Sequence, residues 1–334
     1  MDGPFIIKPL TQHEAALFMP MTYPSYRHLL MRLSDEKMSE RGRNSVFAIG
    51  AFLGLLPVGL TLALADASLD IDILSIYAAR QFRGNGMAAA MLKELVLEAR
   101  GRIGKMRGHQ LVRSGSAGED PGSFRIRAIY EKEHHFSQAV ERILDSQGFE
   151  PSTPRCTVFR CDSEMGQMPW LDMYFDVSEP FRIIPWIEVD PGEIELVRTG
   201  NGEAGEFPQE LSPFSETDRI EPSNSMALLR SGKIVGWSIT HRPMPDTIRY
   251  SSIFVAADIR GLGLAIPLLM ESIRRHVRTE MAVQAPKATF VVYHTNPEMK
   301  RMVSRRMARY SKEITESVER ILSIAINCIL SLLL

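Results

Sequence analysis

Arg83-Gly84-Asn85-Gly86-Met87-Ala88 decides how this chain is read, because Arg260-Gly261-Leu262-Gly263-Leu264-Ala265 repeats its pattern further along, at an offset of 260 − 83 = 177. Each copy follows an apolar, strand-like run, Ile73 to Tyr77 and Ile253 to Ala257. Each then opens an apolar helix, Met87 to Ala99 and Leu264 to Val277. A strand that feeds a glycine turn and then a helix N-terminus is an anion site, because several backbone N–H groups converge there and the helix dipole favours negative charge. The glycines let a ligand approach the backbone without a Cβ in the way. The arginine can add a charge-assisted bond to a phosphate oxygen.

The same offset carries other positions across without a gap. Val58-Gly59 maps onto Val235-Gly236, Ser75-Ile76 onto Ser252-Ile253, Leu92 onto Leu269 and Ile6-Ile7 onto Ile183-Ile184. Two units of this size describe a duplicated domain, not a solenoid. A length of 334 residues agrees with two domains.

Two nucleotide-binding readings fail on the residues. A Rossmann loop needs a third glycine and an acidic ribose partner about 20 residues on. Here Ala89 and Ile266 occupy the third-glycine position, and the acidic partner is not evident. A Walker A loop needs Gly-Lys-Ser/Thr, which neither copy has. What remains, Arg-x-x-Gly-x-Ala, resembles the acyl-CoA pyrophosphate loop of the general N-acetyltransferase (GNAT) superfamily. Two further matches support the resemblance: Gly148-Phe149 after a helix, and Asn296-x-x-Met299 at the start of another. The resemblance implies an α/β (α+β) chain of two tandem GNAT-like domains, residues 1–165 and 178–334. Each would hold a mixed, mostly antiparallel sheet flanked by helices, with a splayed parallel strand pair at the cofactor site. It also implies acyl-CoA as co-substrate, acetyl-CoA by default, with pyrophosphate on the loop and the pantetheine arm between the splayed strands. The phosphate-binding sets are then Arg83, Gly84, Gly86 and Ala88, and Arg260, Gly261, Gly263 and Ala265, with Asn296 beside the second.

Composition fits a soluble globular protein, with 45% hydrophobic and 24% charged residues. A net charge of −1 gives no reason to expect nucleic acid or an anionic membrane as the main partner. The basic clusters Arg274-Arg275-His276 and Lys300 to Arg309 read as solvated helix faces, some of which could meet CoA phosphates. Cys156, Cys161 and Cys328 show neither disulfide nor metal spacing. With no signal peptide legible at Met1 to Leu10, the expectation is a cytoplasmic protein without a metal. Oligomeric state is not legible.

Along the chain, strands are expected at Phe5 to Pro9, Val46 to Phe52, Pro57 to Ala65 and Asp70 to Tyr77. The first loop's helix should end near Gly101, followed by a strand from His109 to Arg113, a loop from Ser114 to Ser123 and a helix from Ile129 to Gln147. Gly148 closes that helix, and Cys156 to Cys161 closes the first domain. Asp162 to Pro180 reads as a connection. The second unit restarts at Phe181 to Trp186, with a hairpin of Ser225 to Leu229 and Ile234 to His241 turned at Ser231-Gly232. Strands Arg249 to Val255 and Thr289 to His294 follow, then a helix from Pro297 to Arg309. The apolar Ile321 to Leu334 reaches only about 21 Å as a helix, short of the ~30 Å hydrocarbon core. A buried final strand with a tail is favoured over membrane contact.

The chemistry expected of such a site is direct attack of an amine on a thioester, which needs positioning and donors to the developing oxyanion. The amine must lose a proton to a base or a water chain. Asp70 is the first candidate base. It shares a strand face with Asp72 and stands 13 residues before Arg83, a spacing that resembles the glutamate base of the histone-acetylating branch. Thr247, at the matching place before Arg260, cannot serve. The tyrosine acid that many GNAT enzymes carry on their fourth helix is replaced by Leu144 and Val303, which leaves Tyr293 and His294 as candidates by location. The resulting expectation is an acyl-CoA-dependent N-acyltransferase acting on a small-molecule amine, with the second half as the catalytic one. The alternative is a non-catalytic acyl-CoA-binding sensor or scaffold.

Overall fold

The computed structural model describes residues 5–33, 45–113 and 122–326, and in 108–113 the backbone alone. The elements in chain order are β1 (Ile6–Pro9), α1 (Gln12–Ala15), α2 (Arg27–Leu30), β2 (Val46–Leu53), β3 (Leu56–Ala65), β4 (Ile71–Ala78), α3 (Met87–Arg113), β5 (Ser123–Glu131) and α4 (Ser137–Ser146). Then come β6 (Thr153–Cys161), β7 (Phe181–Pro185), α5 (Pro191–Arg198), β8 (Met226–Arg230), β9 (Lys233–Met244), β10 (Thr247–Val255), α6 (Ala265–Val277), α7 (Met281–Gln284), β11 (Lys287–Tyr293), α8 (Pro297–Arg306) and β12 (Ser311–Ala325). The fold is α+β, and the chain forms two compact units, Met1–Pro154 with Ser317–Leu334 and Arg155–Glu316.

In the first unit the strands lie in the order β1-β2-β3-β4-β5-β12. They are antiparallel except for the parallel pair β4 and β5. Alternation sends the side chains of β2 and β3 to two cores. Phe47, Ile49 and Ala63 pack with Met91, Leu92 and Leu95 of α3, while Leu60 and Leu62 pack with Phe18 and Leu30 from the α1–α2 side. The second unit runs β6-β11-β10-β9-β8-β7, with β10 and β11 parallel and its central core built around Trp237, Phe254 and Leu268. The internal repeat is visible in the register. Gly59 faces Ala78 and Thr61 faces Ile76, and 177 residues later Gly236 faces Val255 and Ser238 faces Ile253. Ser231 and Gly232, at φ 49 and 86, turn the β8–β9 hairpin with the two left-handed residues such a two-residue turn requires.

Several sequence expectations change. The helix after the first loop does not stop near Gly101 but runs to Arg113, and it absorbs the strand expected at His109 to Arg113. Helical glycine costs ~1 kcal/mol relative to alanine, and burial of Leu95, Ala99 and Ile103 at every fourth position outweighs it. Ile129, expected to begin a helix, instead belongs to β5. Phe124, Ile126 and Ala128 are buried there while Arg125 and Ile129 face outward, a period-two pattern. The helix itself spans only Ser137–Ser146, with Gly148 at φ 78 just past its end.

The strand Cys156 to Cys161 does not close the first sheet. It pairs antiparallel with β11, from Cys156 opposite Tyr293 to Cys161 opposite Ala288. The place beside β5 goes to β12, whose residues 317–325 pair with Glu131 back to Ser123. Boundaries drawn at 165 and 178 therefore do not coincide with the compact units. Nor is Asp162 to Pro180 a bare connection, since Met165, Met168, Trp170 and Leu171 are buried against Met270, Ile273 and Phe290. Ile321 onward begins as strand, in β12. From Asn327 on that apolar run, like Ser34 to Arg43 and most of the Ser114 to Ser123 loop, lies outside the described residues. No helix among the described residues is long and apolar enough to cross a membrane.

Candidate active site

In each unit a parallel strand pair opens. β4 and β5 pair only at Ile71, Asp72 and Ile73, opposite Ile126, Arg127 and Ala128, although β4 continues to Ala78. β10 and β11 pair from Thr247 to Tyr250, opposite Lys287 to Phe290, while β10 continues to Val255. At each departure sits a bulge. Leu62 faces Ser75 but Ala63 faces Ile73, which leaves Leu74 unpaired. Thr240 faces Tyr250 but Ile239 faces Ser252, which leaves Ser251 unpaired. The two bulges are related by the repeat offset, 251 − 74 = 177. An extra residue bends its strand and increases the local twist, so the bulge carries β4 or β10 away from its parallel neighbour. Main-chain groups past the bulge then line a slot that leads to the glycine loop.

The loops are anchored identically. The Ala79 N–H donates to the Val58 carbonyl at 2.9 Å, and the Ala256 N–H to the Val235 carbonyl at 2.8 Å. Arg83 Nε donates to the Ala78 carbonyl at 3.0 Å, and Arg260 Nε to the Val255 carbonyl at 3.1 Å. Each arginine thus braces the strand end that delivers its own loop. Gly84 and Gly86 have φ 83 and 75, and Gly263 has φ 73. Gly261 lies in the 3-10 turn Ala257–Leu262, without a positive φ. A Cβ added at any of these four glycines would meet nothing within 4 Å, so the space before each loop is open. Ala88 and Ala265 lie in the first helical turns behind the loops, where the leading amides have no intrahelical partner.

The surroundings of the two loops differ. In the second unit a groove of about 420 Å³ runs beside the start of α6, lined by Ile266 and by Glu298, Arg301, Met302, Arg305 and Arg306 of α8. Part of the basic cluster in Lys300 to Arg309 therefore lines a cavity. Arg274 is engaged elsewhere, donating to the carbonyls of Leu171 and Met173. In the first unit the Arg83 guanidinium lies 4.9 Å over the ring of Phe136, the residue before α4. That contact ties the loop to the start of α4.

Asp70 stands apart from its loop. It accepts from the Arg125 amide at 2.8 Å, from Nε at 2.9 Å and from the terminal nitrogen at 2.6 Å. Burial pushes its carboxyl up, but the Arg125 hydrogen bonds and charge outweigh this and hold it below the usual range. Asp72 makes a similar pair with Arg127, at 2.6 and 2.9 Å. These are clamps between β4 and β5 at their paired end. Eight residues of strand, about 26 Å at ~3.3 Å each, separate Asp70 from Ala78. The candidate base of the first unit is thus a strand clamp, and sequence spacing alone did not reveal its Arg125 partner.

Tyr293, His294 and Asn296 do lie at the open end of their strand pair, because β10 and β11 run parallel and both end there. The Tyr293 hydroxyl accepts from Arg155 at 3.3 Å. His294 Nε2 is buried with no hydrogen-bond partner among the described residues, and lies 4.0 Å from Glu316. Asn296 is the N-cap of α8, its side chain accepting from the Met299 N–H at 3.0 Å.

The sequence reading missed a polar group at the second bulge. Ser251 Oγ lies 2.6 Å from His241 Nδ1, and His241 Nε2 lies 2.8 Å from the Ser215 carbonyl. Because a carbonyl can only accept, Nε2 carries the proton and Nδ1 is left to accept from Ser251. Arg249 Nε donates to Ser251 Oγ at 3.1 Å, and its guanidinium pairs with Glu216 at 2.6 Å. His241 is 2% exposed. Burial pushes its imidazole below the ordinary value, against the Ser215 hydrogen bond, so the neutral ring is favoured. The repeat held the signal. Stepping back 177 residues from His241 and Ser251 gives Leu64 and Leu74, which pack in an apolar cluster.

No family profile and no curated protein sequence matches the chain. Solved structures do match. A tandem GNAT protein from the clavulanic acid biosynthesis pathway superposes with a TM-score of 0.63 at 13% identity, over 96% of this chain and 98% of that one. The fold is the GNAT fold, in its tandem form. A GCN5-related N-acetyltransferase from Sphaerobacter thermophilus shares this GNAT architecture with a TM-score of 0.58 at 15% identity, over 97% of both chains. The glucosamine N-acetyltransferase region of a fungal multi-domain GH3 β-N-acetylglucosaminidase matches at 0.57 and 12%, over 96% of this chain and 38% of that one.

Proposed function

We propose that this chain is an acyl-CoA-dependent N-acyltransferase, with acetyl-CoA the default donor, acting on a primary amine of a small molecule, and that the second unit is the working one. The observation that carries the reading is the second unit's slot. It opens at Ser251, leads to a glycine turn at a helix N-terminus and adjoins a groove bearing three arginines. Those parts fit a long, multiply phosphorylated thioester. The amides leading into α6 would hold its diphosphate, Arg301, Arg305 and Arg306 would meet further phosphate charge, and main-chain groups past the bulge would position the thioester carbonyl. The co-substrate supplies the activated acyl group. Tyr293 lies at the far end of the same strand pair, where a leaving thiolate would take up a proton. A cytoplasmic setting belongs to this reading and is supported by the free, buried thiols of Cys156 and Cys161.

The first unit fits the second reading, acyl-CoA binding without turnover. Its candidate base is clamped by Arg125, and its loop arginine Arg83 is stacked on Phe136. Thiol release from acetyl-CoA with a panel of primary amines, alongside calorimetry on Arg83→Ala and Arg260→Ala, tests both readings. Turnover lost with Arg260→Ala and kept with Arg83→Ala is the expected result. Binding without thiol release from any amine would favour the sensor or scaffold.

A further inference from the structure

We propose that Ser251 and His241 form the proton relay that converts the acceptor's ammonium into the attacking amine, an inference that rests on the acyltransferase reading above. Ser251 is the residue that the bulge in β10 leaves unpaired, at the point where β10 leaves β11. Ser251 is partly exposed there. His241 stands one strand away on β9, fully buried, its Nδ1 accepting from Ser251 and its Nε2–H donating to the Ser215 carbonyl. The hydroxyl thus has a neutral acceptor on one side and the Arg249 donor on the other. Arg249 keeps the serine oxygen oriented and is itself held by Glu216, which sits in the left-handed region at φ 48 and also faces Arg219.

The step balances. An ammonium N–H gives its proton to Ser251 Oγ while the Ser251 proton moves to His241 Nδ1, which leaves a neutral amine and an imidazolium. The amine nitrogen then forms the C–N bond as the C–S bond breaks. The nitrogen sheds its second proton, which balances the departing thiolate, and His241 returns its proton through Ser251 to solvent. Charged groups near the imidazolium act in both directions. Arg249 opposes it, while Glu216 and Asp218 favour it, and the Arg242–Glu221 pair lies on the same strand and the adjoining segment. Leucines stand at the matching positions, Leu64 and Leu74, so the first unit carries no such relay there.

The test uses the full chain, acetyl-CoA, and spermidine, glucosamine, tyramine and lysine as amines, with kcat/KM for the amine followed against pH. Ser251→Ala is expected to lower kcat/KM by about 10²–10⁴-fold, the usual contribution of a positioned acid–base group, with acetyl-CoA affinity unchanged by calorimetry. The wild type, drawing ammonium through the relay, should reach a plateau above the pH at which His241 deprotonates. Ser251→Ala should instead climb about tenfold per pH unit towards the amine's own pKa, because only free amine then reacts. Ser251→Thr keeps a hydroxyl and should recover part of the loss. His241→Gln should reproduce the Ser251→Ala profile, and since burial there endangers folding, the serine variants decide. If Ser251→Ala stays within threefold of the wild type at every pH, the relay is wrong and the acyltransferase reading stands. If the wild type releases no thiol with any amine, the reading fails and the relay falls with it.

Discussion

Gly261 and Gly263 belong to one motif, yet the structure gives them opposite reasons to be glycine, and alanine at each separates the two. Gly263 sits at φ 73 with open space around its Cα. Alanine there suffers no clash and pays only for the left-handed backbone, about 1–2 kcal/mol. Gly261 has no positive φ, and a Cβ there meets nothing. On stability alone, Gly261→Ala is neutral or gains about 0.4–1 kcal/mol through a less flexible unfolded chain. Its Cβ would, however, enter the space in which a diphosphate approaches the loop. Displacing one main-chain hydrogen bond to a charged oxygen is worth roughly 1.5–3 kcal/mol, or about 10- to 150-fold in affinity. The assay is denaturant unfolding together with acetyl-CoA calorimetry on both variants. Gly263→Ala should lose stability. Gly261→Ala should keep it and lose binding. A Gly261→Ala protein that binds acetyl-CoA as tightly as the wild type would refute the placement of phosphate on this turn.

Other consequences can be measured with the same preparations. A Cβ at Gly236 would meet the Phe254 carbonyl at 2.7 Å, whereas at Gly59 the matching Tyr77 carbonyl is 3.1 Å away and the tightest neighbour is the flexible end of Met91 at 3.0 Å. Gly236→Ala should therefore cost about 1–3 kcal/mol and Gly59→Ala less, as read by urea midpoints; equal losses would contradict the asymmetry. Because Asp70 is held below its ordinary value, the stability it contributes is complete above the unfolded carboxyl's titration and is lost as pH falls through the folded one. Asp70→Asn should thus flatten the acid limb of the melting curve below about pH 4, leaving amine acylation in the second unit intact. Phe136→Ala removes a cation–π contact of about 0.5–1 kcal/mol and should tighten acetyl-CoA at the first loop about two- to fivefold, seen as a stronger second calorimetric site.

How much was legible follows from what each pattern encodes. The repeat is a statement about identity at a fixed offset, and it located both loops, both hairpins and both strands leading to the loops. It could not say which sheet a closing strand joins, because β6 and β12 both read as strands and pairing choice is not written in either one. The alternation in Phe124, Ile126 and Ala128 was readable, but its apolar positions are broken by Arg125 and Arg127, whose partners Asp70 and Asp72 lie 55 residues away. The Arg125 partner of Asp70 was hidden for the same reason, since spacing does not show what an aspartate faces. His241 and Ser251 were hidden because a histidine and a serine ten apart carry no local signature; only the antiparallel crossing of β9 and β10 brings them together.

The two units show which features the duplicated architecture holds fixed. The loop anchors recur atom for atom, with Arg83 to Ala78 matched by Arg260 to Val255 and Ala79 to Val58 matched by Ala256 to Val235. The bulges recur at Leu74 and Ser251. These parts open a slot beside a glycine turn, and both units keep them. The side chains placed on that scaffold have diverged. Leucines fill the first bulge region and an ion pair locks the start of its strand, so the first slot is backed by apolar packing. In the second, the same two positions hold a serine and a neutral histidine. A buried polar pair replacing a leucine pair costs stability unless every group is satisfied. Here each ring nitrogen and the hydroxyl has a partner, and Arg249 beside the hydroxyl is itself paired with Glu216, which is held in a disfavoured backbone conformation. Such wiring is expensive to keep for packing alone, and the relay proposed for the second slot would give it a use.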